Sequence, residues 1–563
     1  MRRLAFLALA LLACAAPRPA APTATADDTA FARVRDSFYD AYLAFHPTAA
    51  IRLGYHDRDG QLGDRSAAAL AGEVTRLHAA LDELGRIDGG KLLGPNRVER
   101  AVLMNVARSG LFDLEVRASP STNPFFYLWQ LNVQDYVTRD YAPLADRARA
   151  VVAYTRAAHG YLEDARKNLV GPIPRPWLEV SLVIVKGGIE FVHKDVRQAL
   201  AGAESPELSA ALDQHEQDLR AFAQFLESRR ADASADFALG AERYVQALAD
   251  VEGLSTDLAT LERVAREDTE RNLAALAEAA RAVDPKKTVA EVVAELDRDK
   301  PEASQVVALA TEQAESLRRF VVDHQVVAIP SADVAEVRLA PPFARINPAF
   351  ISAPGPFEKK PLPAIYYISE PDPSWPSAQQ KSYLQPRDVL LFTTVHEVWP
   401  GHFVQHLYEN RMASRIVKSF CSYAYTEGWA HYTEEMMWQA GLGGGDPRVH
   451  IGQLLSALMR DARFLAALGL HTRGMTVDEA TRLFQEKAFL PLAAARQQAM
   501  RGTLDPLYSL YTIGKLMIVK LRDDYRKKTG ASLAAFHEAF LSAGCEAIPI
   551  VRRELLGDDS PAL

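Results

Sequence analysis

The 563-residue chain contains little cysteine, no excess of positive charge and no long apolar run beyond its first residues. It has three cysteines, so a disulfide framework is not needed to fold it, and a chain of this length can bury a large core. Its 64 Lys and Arg against 72 Asp and Glu give a net charge of −8. That balance argues against the basic surface that nucleic-acid binding requires, so we expect no nucleic-acid partner.

The motifs of two common enzyme classes are also missing. No Gly-x-Ser-x-Gly elbow occurs, which leaves a serine hydrolase of that type unsupported. No phosphate-binding P-loop pattern and no internal repeat are present. The composition is ordinary for a globular protein, with 48% hydrophobic and 24% charged residues, so the chemistry must come from another motif.

The first residues, "MRRLAFLALALLACAAP", have the organisation of an export signal. Two arginines precede an apolar run from Leu4 to Ala13 that is too short to span a bilayer. The run ends in "LLAC", which resembles a bacterial lipobox and predicts lipidation at Cys14; a plain secretory signal cut near "AAP" is the alternative. We therefore expect an exported, periplasmic protein whose only membrane contact is an N-terminal lipid anchor.

Periodicity predicts a mainly α-helical fold with one small sheet. Apolar residues recur at three- and four-residue spacing through most of the chain. Between about 326 and 392 prolines cluster, and "VAEVRLA" and "AIYYISE" have strand-like composition. We predict a signal and flexible tether at 1–28, a helical N-terminal lobe at 29–325 and a catalytic lobe at 326–563, the last forming one continuous structural unit.

The stretch "TTVHEVWPGHFVQH", residues 393–406, is close to the metal-binding helix motif of zinc proteases. The familiar motif places two histidines four residues apart around a glutamate base, but here Pro400 occupies the second histidine position and His402 follows. On a regular helix, six residues rotate by roughly 600°, which would leave His402 about 120° away from His396. Pro400 and Gly401 predict a break or bulge in the helix that turns both imidazoles to one side.

A third metal ligand is expected from the next helix, within "YAYTEGWAHYTEEMMWQ". Catalytic zinc needs three protein ligands, one open position and a nearby carboxylate base. Glu427 lies 25 residues after His402, which leaves room for a turn and a returning helix. We therefore predict His396, His402 and Glu427 as metal ligands and Glu397 as the general base.

Three other interpretations of the same residues remain open. His402 and His406 could pair on an undistorted helix, although no base follows His402. A two-metal carboxylate site could use Glu397, Glu427 and His431, although the Glu-x-x-His spacing of that class is missing. The histidines could also be buried structural residues that bind no metal.

Both motifs, "HEVWPGHFVQH" and "EGWAHYTEE", resemble those of the bacterial lipoprotein family called domain of unknown function 885. "FHPTAAIRLGYHDRDGQLGD" and "APGPF" resemble it too, so the similarity covers nearly the whole mature chain. The family resembles the helical glutamate-zincins, such as angiotensin-converting enzyme and thimet-type oligopeptidases. The resemblance implies a large, two-lobed, zincin-like metallopeptidase fold with zinc as cofactor. Two departures are Asp505–Tyr508, which replaces a small loop, and Phe403, where the family often has histidine.

The expected function is zinc-dependent hydrolysis of amide bonds in short periplasmic peptides, with Glu397 as base and zinc-bound water as nucleophile. Tyr511 and His471 are the candidate donors to the oxyanion. Support for the metal ligands is expected from three further side chains: Gln405, His431 and Glu434. The alternative is a non-catalytic lipoprotein that binds a peptide or partner on a degenerate metalloprotease fold.

Substrate contacts are the least determined part of the sequence. "AIYYISE" is either an edge strand that pairs with an extended peptide or a plain core strand. Arg463, Arg496 and Lys515 are each candidates for holding a terminal carboxylate. Whether cleavage starts from either end or is internal stays open, as does whether Cys421 and Cys545 pair.

Overall fold

The computed structural model describes residues 25–131, 133–341, 348–371 and 374–563. Cys14, the predicted lipidation site, lies outside these residues, as does most of the predicted tether. The described chain is mainly helical, with one three-stranded sheet, as the periodicity predicts. None of its helices has both the length and the apolar character needed to cross a membrane.

The part of the chain before the sheet is a succession of helices. Their starts follow the expected capping chemistry: Ser205 caps a helix with Pro206 at its first position, and Thr288 forms a capping box with Glu291. The helices are α1 (Ala26–Phe45), α2 (Pro47–Arg52), α3 (Ala67–Arg86), α4 (Gly94–Leu111), α5 (Ser119–Thr122), α6 (Phe125–Leu128), α7 (Gln134–Thr138), α8 (Leu144–Asn168), α9 (Arg175–Phe191), α10 (Arg197–Ala199), α11 (Pro206–Ser228), α12 (Ala241–Glu252), α13 (Leu258–Val283), α14 (Val289–Leu296) and α15 (Val306–Asp323).

The sheet has the order β1-β3-β2, with β1 (Glu336–Leu339) parallel and β2 (Ala349–Ser352) antiparallel to β3 (Ile365–Ile368). β1 and β3 fall within the two predicted strands. The suggestion that "AIYYISE" forms an edge is wrong, because β3 is the central strand and all four of its residues are buried. β2, which the sequence did not reveal, is the edge that borders the site described below.

Helices resume after the sheet and carry the motif residues. They are α16 (Ser377–Tyr383), α17 (Arg387–Glu397), α18 (His402–Glu409), α19 (Arg415–Ser419), α20 (Tyr423–Gln439), α21 (Pro447–Thr472), α22 (Val477–Ala488), α23 (Leu492–Leu504), α24 (Leu510–Thr529), α25 (Leu533–Ala543) and α26 (Ile548–Leu556). A capping box joins Thr476 and Glu479 at the start of α22, as predicted.

The largest hydrophobic core does not stop at the predicted boundary between 325 and 326. It joins Tyr244 and Leu317, before that boundary, to Tyr366, Phe392 and Trp429 after it. These side chains are buried together. The helices α12, α13 and α15 therefore pack into the same core as the helices that carry the motif, although they precede the sheet.

Cys421 and Cys545 form a disulfide, with their Cα atoms 4.7 Å apart, which resolves the open question in favour of pairing. The backbone N–H of Ser422 also donates to the carbonyl of Cys545, at 2.7 Å. Together these bonds fix the start of α20 against the segment that precedes α26, and α20 is the helix that carries Glu427.

Candidate metal centre

The helix that begins the metal motif ends where the proline–glycine pair predicts a break. α17 stops at Glu397, and α18 starts at His402. Gly401 packs so closely on α17 that a Cβ there would lie well inside 3.0 Å of the carbonyl oxygens of His396 and Val395. The sharp change of direction therefore depends on glycine at this position, and it separates the two histidines onto two short helices.

The break brings His396 and His402 to a common point with Glu427 of α20. Oε2 of Glu427 lies 3.3 Å from Nε2 of His396 and 3.4 Å from Nε2 of His402. The two imidazole rings are nearly perpendicular, with centres 4.8 Å apart. One ligand atom from each residue lies within 4.8 Å of the others, so the three predicted ligands converge.

This donor set fits a zinc ion. Two ligand atoms that bind one tetrahedral zinc at about 2.1 Å are about 3.4 Å apart, which matches the two distances to Glu427. Oε2 of Glu427 is buried and accepts no hydrogen bond from any described residue, although it faces two imidazoles. Burial raises the pKa of Glu427, but His402 and His396 outweigh it and hold the pKa well below its usual range. The carboxylate is therefore ionised and without a hydrogen-bond donor, as a metal ligand should be.

Glu434, one of the predicted supports, contacts the first histidine. Its Oε1 lies 2.7 Å from Nδ1 of His396, so Nδ1 can donate to the carboxylate while Nε2 faces Glu427. Glu434 is fully buried and forms an ion pair with Arg460 of α21, at 2.8 Å. A carboxylate that holds the far nitrogen of an imidazole is the usual support of a metal-binding histidine.

Glu397 lies beside this cluster with its side chain on the wall of a large cleft. The cleft has a volume of about 2590 Å³ and is also lined by the three candidate ligands and by β2. Oε2 of Glu397 accepts the backbone N–H of Ile351 in β2, at 3.0 Å. Burial raises the pKa of Glu397, which moves the carboxylate toward the range that suits a base near neutral pH.

Tyr511 of α24 completes this wall of the cleft. Its ring lies 6.4 Å from that of His396, centre to centre, in a stacked orientation. Burial raises the pKa of Tyr511, so its hydroxyl stays protonated and can donate a hydrogen bond. α24 reaches this position because Gly514 and Gly428 let it pack closely on α20; a Cβ on Gly428 would lie 2.6 Å from the Cα of Gly514.

Comparison with known proteins identifies the family. Residues 47–555 match the sequence model of a bacterial family of unknown function, called domain of unknown function 885. The chain belongs to this family. Among curated proteins no match is found.

Two solved structures share the fold of this family member. A candidate lipoprotein of unknown function from Shewanella oneidensis is 24% identical, with a TM-score of 0.78 over 93% of this chain and 99% of its own. A candidate lipoprotein from Colwellia psychrerythraea is 16% identical, with a TM-score of 0.74 over 95% and 99%. A carboxypeptidase from Pyrococcus furiosus aligns at 12% identity with a TM-score of 0.37 over 95% and 96%, which is too low to assign a shared fold.

Two other predicted supports of the metal ligands play no such part in this family member. Nε2 of Gln405 donates to Glu409 and Thr426, at 2.6 and 3.2 Å, rather than to a ligand. Both ring nitrogens of His431 are buried without a hydrogen bond to any described residue, and its nearest carboxylate oxygen, on Glu434, is 3.9 Å away. Burial holds the pKa of His431 well below its usual range, so this histidine is neutral.

His471 is not an oxyanion donor, which corrects the sequence prediction. It does not line the cleft, and it lies at the far end of α21, about 16 Å along the helix from Arg460. Its Nε2 donates to the carbonyl of Gly502 at 2.7 Å, and its Nδ1 accepts the N–H of Leu239 at 3.4 Å. Burial lowers its pKa to about 4. His471 therefore ties neighbouring segments together as a neutral side chain.

The two departures from the family pattern have different consequences. Asp505 and the two residues after it line the cleft, and Asp505 accepts hydrogen bonds from Tyr423 and Arg501, at 3.1 and 3.2 Å. This loop therefore forms part of the cleft wall. Phe403 is buried in the main core and does not reach the ligands.

Arg460 is the supporting residue that sequence reasoning missed. It is buried on α21, pairs with Glu434 and lies 5.7 Å from the ring of Tyr511. The signal was present in "ALMRDARFLAAL", where two arginines three residues apart interrupt an apolar helix. A buried arginine usually has an acidic partner, so Arg460 indicates a carboxylate at the centre of the fold.

Proposed function

We propose that this protein is a zinc-dependent hydrolase of peptide bonds that acts on short peptides. The observation that carries the proposal is the convergence of His396, His402 and Glu427, with a buried carboxylate oxygen that faces two imidazole nitrogens and lacks a hydrogen bond. Two imidazoles and a carboxylate form a ligand set used by zinc peptidases, and they leave one position open. A zincin-like relationship for the whole fold is part of this proposal.

Each of these cleft residues has a separate role in the proposed reaction. His396, His402 and Glu427 would hold the zinc ion, which would supply Lewis acidity to a carbonyl oxygen and to water. Glu397 takes the proton of the attacking water and returns it to the leaving amine. Tyr511 donates a hydrogen bond from its hydroxyl to the charge that develops on the carbonyl oxygen. Glu434 keeps the ring of His396 in one orientation throughout.

The substrate lies along β2 rather than along the strand first suggested. β2 pairs with β3 on one side only in the described residues, and it lines the cleft. An extended peptide can add to such an edge through main-chain hydrogen bonds, which recognise any sequence. Because Ile351 of β2 contacts Glu397, a peptide on this edge passes next to the base.

The proposed location is the periplasm, with an N-terminal lipid on Cys14 as the only membrane contact. The "LLAC" sequence supports it, and the two structural relatives are described as candidate lipoproteins. The disulfide between Cys421 and Cys545 also suits an oxidising compartment.

A peptide-library digest tests the proposal. We expect the zinc-loaded protein to cleave short peptides, a chelator such as phenanthroline to abolish cleavage, and added zinc to restore it. Mass spectrometry of the products provides the readout. Cleavage that survives removal of the metal would contradict the proposal. Zinc-loaded protein that binds peptides without cleaving any would instead support a non-catalytic binding protein.

A further inference from the structure

The structure separates the three cations that the sequence offered as holders of a terminal carboxylate. Arg496 is on the surface and pairs with Asp478, at 2.9 Å. Lys515 is buried away from the cleft and pairs with Asp268, at 2.5 Å. Arg463 is different, because it lines the cleft and is only 6% exposed. The first two already have acidic partners, which leaves Arg463 as the candidate.

Arg463 has no acidic partner in the described part of the chain. Its Nε donates to Oε1 of Gln498, at 2.9 Å, and its guanidinium lies 4.8 Å from the ring of Tyr511. The two arginines that approach the same ring each have a carboxylate: Arg460 pairs with Glu434, and Arg501 with Asp505.

A buried guanidinium without a counter-charge is unfavourable and needs a reason. Burial, together with the positive charge of Arg501, lowers the pKa of Arg463. A folded protein usually avoids this cost by pairing such a group. The guanidinium of Arg463 borders the cleft. The missing anion is therefore expected to come from a ligand that enters the cleft.

The position of Arg463 sets how far that anion lies from the reacting bond. The ring of Tyr511 is near both groups, 6.4 Å from the ring of His396 and 4.8 Å from the guanidinium of Arg463. An extended residue spans about 3.3 Å, so the path covers no more than about three residues. The anion is therefore close to the bond that would be cleaved.

We propose that Arg463 binds the free C-terminal carboxylate of the peptide, so that the enzyme removes short fragments from the carboxyl end. This inference rests on the proposed peptidase function. A guanidinium matches a carboxylate with two parallel hydrogen bonds. A terminal ammonium is disfavoured at the same place, because it would lie beside the guanidinium of Arg463, whose charge no described carboxylate compensates.

The test compares peptides of one sequence with a free or an amidated C-terminus. Wild-type protein is expected to cleave the free acid with a kcat/KM roughly 10- to 100-fold higher than the amide, as the loss of a charged hydrogen-bond pair implies. Arg463→Gln is expected to lose that preference, mainly through KM, and Arg463→Lys to keep part of it. The matched control is Arg496→Gln, which removes a surface arginine and is expected to preserve the preference.

Equal cleavage of acid and amide by the wild type would overturn the inference and leave the peptidase function intact. Preference for an internal Asp or Glu over the terminal carboxylate would overturn it as well. Should no peptide be cleaved, the peptidase function fails, and titration of the same peptide pair into wild type and Arg463→Gln decides the carboxylate site. If Arg463→Gln does not fold, the acid–amide comparison on wild type and Arg463→Lys gives the answer.

Discussion

Glu397→Gln is expected to lower kcat on a cleaved peptide by roughly a thousand-fold while zinc stays bound. The amide can no longer take a proton from the attacking water, whereas its oxygen still accepts the N–H of Ile351, which is 3.0 Å from the native carboxylate. None of the three candidate ligands changes. Steady-state kinetics, zinc content and thermal unfolding of the same preparation measure the three quantities separately.

Glu409→Gln is the matched control for this variant. Glu409 ends α18 and binds Gln405 rather than the metal cluster, so we expect its activity to stay within a few-fold of wild type. If the Glu397→Gln protein keeps more than a tenth of wild-type activity, Glu397 is not the base.

Gly401→Ala is expected to abolish zinc binding and to lower the free energy of unfolding by about 3 kcal/mol or more. The new methyl group would collide with the carbonyl oxygens of His396 and Val395, which are backbone atoms of α17 and cannot rotate away. Metal analysis and denaturant unfolding provide the readouts.

Gly72→Ala controls for the general effect of this substitution. Gly72 lies within α3, and a Cβ there would meet nothing within 4 Å. Alanine should therefore stabilise the protein by about 0.5–1 kcal/mol and leave zinc binding unchanged. Wild-type zinc content in Gly401→Ala would show that the close approach of the two short helices is not what builds the site.

The convergence of the three candidate ligands could be predicted because each of these residues carries its own signal. Pro400 cannot continue a helix, so the break between His396 and His402 follows from chemistry within one short segment. Glu427 could be predicted because it lies in a polar helical segment, and the interval after His402 leaves room for a turn and a returning helix. The structure brings these three predicted ligands together.

The predictions that failed concern features that depend on contacts with distant parts of the chain. Strand order is set by pairing between separate segments, so the composition of "AIYYISE" could not tell a central strand from an edge. β2 has only four residues and no alternation of exposed and buried side chains. For His471 and Gln405 the residue type was suggestive, but helix spacing does not say which neighbours a side chain meets.

The most direct test of the central claim is the zinc content of the purified chain together with the zinc K-edge absorption spectrum. We predict one zinc per chain, with nitrogen and oxygen neighbours near 2.1 Å, and loss of that zinc in the double variant His402→Ala/Glu427→Ala. A chain that takes up no zinc, or a double variant that retains it with an unchanged spectrum, would contradict the account.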